Sequence, residues 1–116
     1  MLLPDYDYYC LEYRGDRLDE AVFPRLIRRA GAYIDQMTLG LSRGQAAQLH
    51  RAALNDAACA VAEEMYLQEQ GGEVASASND GYSETYVTSG RSPQQRLYDI
   101  ALRYLGMTGL MYQGGG

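Results

Sequence analysis

Apolar positions recur at helical spacing in several stretches of this chain. The longest stretch runs from Ser42 to Gln70 without a proline and is rich in the strong helix formers Ala, Leu and Gln. At about 100° per residue, Leu49, Leu67, Ala60, Ala53, Ala46, Ala57, Val61, Leu54, Met65, Ala47 and Ala58 fall on one half of its surface. Arg51, Glu69, Asn55, Gln48, Gln70, Glu63, Gln45 and Asp56 fall on the other. An apolar arc that wide exceeds what one neighbour covers, so the pattern predicts a central helix packed under two others. Ser42 followed by Gln45 matches a capping box that would start it.

A second helix is predicted from between Asp19 and Pro24 to near Thr38. Phe23, Leu26, Ile27, Ala30, Ile34 and Met37 give its core face, and Arg25, Arg28 and Arg29 point elsewhere. Asp19 would cap this helix, Leu18 would staple against Phe23, and Gly40 would close it. Gly31 in its interior implies a close crossing with the alanine-rich helix. Ser92, Pro93 and Gln95 form another capping box and open a last helix to Leu105, with Gly106 as its stop. Near the start, PDYDYYCLEYRG predicts a short helix from Pro4 that Gly15 ends, with Tyr6, Tyr9, Cys10 and Tyr13 on one side. Arg14, Gly15 and Asp16 spell an integrin-binding tripeptide, which is read here as a turn.

Residues 71–91 have no helical period, and Asp80-Gly81 is a strong two-residue turn signal. A β-hairpin is expected there, with Asn79 facing Tyr82 across the tip. Residues 106–116 carry Leu110, Met111 and Tyr112 between glycines and are expected to form a tail. The fold class is therefore all-α: one domain over 1–116, a small antiparallel bundle of about four helices with a long central helix and a hairpin or loop insertion before the last.

Composition narrows the function. No apolar run approaches the ~20 residues that span a bilayer, and the N-terminus lacks the pattern of a secretory signal, so no membrane is expected as a partner. Cys10 and Cys59 are expected to stay unpaired in a reducing compartment. A net charge of −5 argues against gripping nucleic acid through many phosphate contacts. All ten basic residues are arginines, and there are eleven tyrosines, residue types that suit protein contacts.

Candidate chemistry does not assemble. His50 and Glu64 both lie in the apolar arc, but fourteen residues of helix separate them by roughly 21 Å. The expected roles are a partly exposed histidine near the helix start and a glutamate paired with an arginine. The cysteines lack metal-ligand spacing, Gly71-Gly72 lacks the lysine of a phosphate loop, and Ser83 and Ser89 have no partner base. Neither an enzyme nor a cofactor is expected. LSRGQAAQLHRAA could pass for part of a helix-turn-helix, which leaves a small helical DNA-binding regulator as the alternative. Exposed Leu110, Met111 and Tyr112 would instead read as a docking arm.

The order of parts resembles the small head-tail connector proteins of long-tailed bacteriophages, also called head-completion, adaptor or DNA-packaging proteins. The resemblance rests on the tyrosine-rich start and on FPRLIRRAGAYIDQMTLG, where Phe23, Ala30, Ile34, Asp35 and Thr38 fit the family's second helix. It continues through the alanine-rich helix ending AVAEEMY, the serine-rich SASNDGYSETY stretch and the closing YLGMTGLMYQG. The resemblance implies a ring of identical subunits, twelvefold in the virion, that joins the portal to a tail or stopper protein and extends a DNA channel without sequence-specific binding. It implies localisation in the virion neck, with host cytoplasm during assembly. It further implies portal docking by Gly109, Leu110, Met111 and Tyr112, hairpin contacts by Asn79, Asp80, Gly81 and Tyr82, and a subunit interface at Arg25, Arg28 and Arg29. Gln113 departs from the pattern, because the family often has a basic residue there.

Overall fold

The computed structural model describes residues 1–71 and 92–110, apart from the side chains of Arg43 and Ala46. The described residues are mostly helical, with no strand among them. The hairpin expected over residues 71–91 lies outside them except for Gly71.

After a π-helical turn at Tyr8–Tyr13 come α1 (Phe23–Met37), a 3-10 turn (Leu41–Arg43), α2 (Ala46–Leu49), α3 (Arg51–Glu69) and α4 (Pro93–Leu105). α3 packs against both α1 and α4, as its wide apolar arc predicts. The N-terminal turn covers a further side. Consequently Ala57, Ala58, Cys59, Ala60, Val61 and Ala62 are all buried, nearly two turns with no outward face. Small side chains let three neighbours approach one helix at once.

The expected central helix is shorter than its pattern. It breaks at His50, whose φ of −120° and ψ of 30° leave the helical region. The stretch from Ser42 to Leu49 is rich in helix formers, but Gly44 within it is a poor one and has extended backbone, and Ser42 is held to the end of α1. Ser42 is buried, its N–H donates to the Thr38 hydroxyl at 3.2 Å, and its own hydroxyl donates to Asp35. It therefore fastens the end of α1 and caps nothing in α2. Leu49, expected in the core, is 83% exposed because the break turns it away.

Elsewhere the local signals hold. α1 begins at Phe23 with Pro24 in its first turn, and its core face is Phe23, Leu26, Ile27, Ala30 and Ile34. The Asp19 carboxylate accepts from the Ala21 and Val22 N–H groups at 3.0 Å, closing the turn before α1. Gly31 does permit a close approach, but a Cβ there would lie 2.4 Å from the Leu3 side chain, so its neighbour is the N-terminal segment and not α3. At α4 the Gln95 N–H donates to the Ser92 hydroxyl and the Ser92 N–H to the Gln95 side chain, which completes the capping box. The helix ends at Leu105, yet Gly106 keeps right-handed dihedrals and the left-handed residue is Gly109, at φ 78°.

Candidate assembly surfaces

The ends of the α3/α4 pair fix where the two glycine-rich segments attach. Gln68 Nε2 donates to the Pro93 carbonyl at 3.1 Å and to Glu64 at 2.9 Å, and Arg96 Nε donates to Glu64 at 3.0 Å. These pairs, 68 with 93 and 64 with 96, run in opposite directions along the two helices, so α3 and α4 are antiparallel. Residues 72–91 therefore leave and rejoin the body at one end. Thirteen residues of α4 rise about 20 Å to the other end. There Thr108 donates its hydroxyl to the Leu105 carbonyl at 2.7 Å and accepts from the Leu110 N–H at 3.1 Å, folding residues 106–110 back onto the helix terminus. Residues 111–116 start from that end.

This turn corrects one expectation. Leu110 is 2% exposed and belongs to the hydrophobic core, so it is not a displayed docking group. Gly109 is exposed, and the displayed apolar side chain is Met107, at 99%. Leu49, just before α3, is at the same end. Met111 and Tyr112 of the expected docking set lie outside the described residues, as do Asn79, Asp80, Gly81 and Tyr82.

The arginine face of α1 is also different from its expectation. Both terminal nitrogens of Arg25 donate to Glu69, at 2.6 and 3.0 Å, and Arg29 reaches the same carboxylate. The hydrogen bond from Arg25, reinforced by both positive charges, holds the Glu69 carboxyl below its ordinary range. Two of the three arginines are thus tied within the chain to the end of α3. Arg28, exposed between them, has no ion pair among the described residues.

A feature missed in the sequence is a tyrosine hub on the polar side of α3. Tyr9 is fully buried. Its hydroxyl accepts from the Arg17 and Leu18 N–H groups at 2.8 and 2.9 Å and donates to Glu63 at 2.6 Å. Tyr13 adds a 3.2 Å bond to the same glutamate, and Tyr8 donates to Asp56 at 2.8 Å. Burial, then hydrogen bonding or proximity to these carboxylates, pushes all three phenols well above their ordinary pKa. Gly15 is required beneath this hub, since a Cβ there would lie 2.2 Å from the Tyr9 ring. Within the Arg14-Gly15-Asp16 tripeptide, Gly15 therefore has a packing role. Cys10 is exposed, yet it stays beside these rings as expected: its side chain is hydrogen-bonded to Tyr6 and, with burial, pushes that phenol above its ordinary pKa.

Glu64 is buried and paired with an arginine, Arg96, as expected, and His50 is half-exposed at the break before α3. Among the described residues no group of three or more His, Cys, Asp or Glu could hold a metal. LSRGQAAQLHRAA forms a 3-10 turn, the four-residue α2 and the start of a helix that is mostly covered, so it presents no long exposed recognition helix. No helix among the described residues is long and apolar enough to cross a membrane.

The fold and these surfaces define an all-α body with an attachment point at each end. Comparison of the chain with protein-family models, curated proteins and solved structures returned no match.

Proposed function

We propose that this protein is a structural subunit of a phage or prophage head-tail connector, assembling as a homo-oligomeric ring between the portal and a tail or stopper protein. The observation that supports this reading is that the described residues flanking the two segments, Gly71 and Ser92 for one and Leu110 for the other, lie at opposite ends of the α3/α4 pair, about 20 Å apart. A connecting ring needs separate contacts above and below, and a body with both arms at one end could not supply them. The end bearing Met107 and the residues from Met111 onward docks the portal, and the segment containing Asn79 to Tyr82 meets the next partner. Net −5 per chain, repeated around a ring, suits a channel wall that passes DNA without holding its phosphates. The contacts are individually weak and add around the ring by multivalency.

The test mixes the cognate portal with the full chain, with a chain lacking residues 111–116, and with Met107→Asp, reading association by sedimentation and by electron microscopy. The full chain adds a ring to the portal, and both variants lose it with helical content unchanged. Retention of binding by both variants would move docking elsewhere, and no binding by the full chain would overturn the reading.

A further inference from the structure

The N-terminal turn and α1 each leave an outward face that no described residue covers. On the turn, Asp7, Cys10, Leu11 and Glu12 are exposed, with Leu11 at 68%. The opposite side is locked inward by the bonds of Tyr8, Tyr9 and Tyr13 to α3. On α1 the core face is buried and Arg28 and Ala32, four residues apart, share the exposed side. Neither Asp7, Glu12 nor Arg28 has an ion pair among the described residues. One face is therefore an exposed leucine flanked by acids, and the other a small residue beside a cation.

We propose that these two faces bind each other between copies of the chain, Leu11 seating over Ala32 with Glu12 and Asp7 toward Arg28. The occupant is a second copy, chosen by charge complementarity. The proposed contact is the heterologous one, in which two copies meet once and leave a free face at each end, so that it propagates head to tail into a ring or filament; a two-fold dimer would need the same two faces to meet twice, and dimer-only products mark that case. The inference deepens the connector reading and rests on it only for ring closure.

The test uses the full chain carrying Ala32→Cys, which keeps every charge and the native Cys10, treated with a short bis-maleimide in the absence of portal. Cys59 does not compete, since it is fully buried and burial pushes its thiol up to about 12. Products extend beyond dimer to a ladder that is strong in about 0.05 M salt and weak in about 0.5 M salt, because screening shortens the reach of exposed charges. The same variant with Cys10→Ser gives no ladder. In sedimentation of chains without the added cysteine, Glu12→Arg and Arg28→Glu each abolish self-association, and the double charge swap restores it. Monomer-only or dimer-only products, or a double swap that fails to rescue, would overturn the contact. Portal binding by the full chain is read separately, so loss of the ladder leaves the connector reading standing and loss of portal binding leaves the contact standing.

Discussion

Replacing Tyr9 by Phe keeps the ring that stacks on Tyr6 and Tyr13 and contacts Phe23, and removes only the hydroxyl. Three bonds go with it. The Leu18 N–H is buried and is left without its acceptor, at a cost of about 1–3 kcal/mol. The charge-assisted bond to Glu63 contributes about 1.5–3 kcal/mol and falls at the low end here, since the carboxylate keeps Tyr13 and some water. The Arg17 N–H lies nearer solvent and regains a water partner. The expected loss is about 3 kcal/mol, a large share of the 5–15 kcal/mol typical of a domain. Urea denaturation measures it as a lower midpoint at unchanged slope. Tyr13→Phe is the control: it removes one longer bond to a carboxylate that retains its stronger partner, and costs about 0.5–1 kcal/mol. Equal costs for the two substitutions, or less than about 1 kcal/mol for Tyr9→Phe, would show that the hub does not hold the N-terminal turn.

Glu64→Ala removes a carboxylate that accepts from the largely buried Arg96 guanidinium, a charge-assisted bond that contributes about 1.5–3 kcal/mol, read as a fall in urea midpoint. Ser92→Ala removes the cap of α4 and costs about 1 kcal/mol, whereas the same change in a free cap-like serine would cost little. In alkali, the raised phenols of Tyr8, Tyr9 and Tyr13 favour the protonated folded state. Their stabilisation is complete below the ordinary tyrosine pKa of about 10 and is lost as pH rises toward the folded values. Absorbance titration will therefore show these tyrosines ionising late and together with loss of ellipticity, while exposed tyrosines ionise first; early, non-cooperative ionisation of all eleven would refute this.

What could be read from the sequence was what is local. The α1 core face and the Ser92 box depend on spacings of three or four residues, and both are where the pattern puts them. The interruptions at Gly44 and His50 were only partly legible: Gly44 is a weak helix former, but nothing in the spacing shows that Ser42 bonds back to Thr38 and Asp35 at the end of α1. The tyrosines were misjudged for the same reason. Their number suggested displayed anchors, but Tyr9 and Tyr13 meet Glu63 across 54 and 50 residues of chain. One signal was available: Gly15, six residues after Tyr9, is where an aromatic ring needs room for close packing. Likewise the arginine triplet is visible in sequence, while the capture of Arg25 and Arg29 by Glu69, which leaves Arg28, depends on how α1 lies on α3.

The docking tail is the case in which one residue decides the experiment. Leu110, Met111 and Tyr112 look alike in sequence, yet Leu110 sits in the core at 2% exposure and its N–H is held by Thr108. Cutting after Gly109 removes a buried leucine, and burying such a side chain contributes about 1.5–3 kcal/mol. Cutting after Leu110 leaves that contribution in place. The chain ending at residue 109 should therefore melt several degrees below the full chain, by roughly 3–6 °C per kcal/mol for a domain of this size. The chain ending at residue 110 should melt with the full chain. If the two truncations melt alike, Leu110 does not close the core. If they differ as expected, only the longer one can report on docking, since lost portal binding in the shorter one would mix a loosened fold with a missing contact.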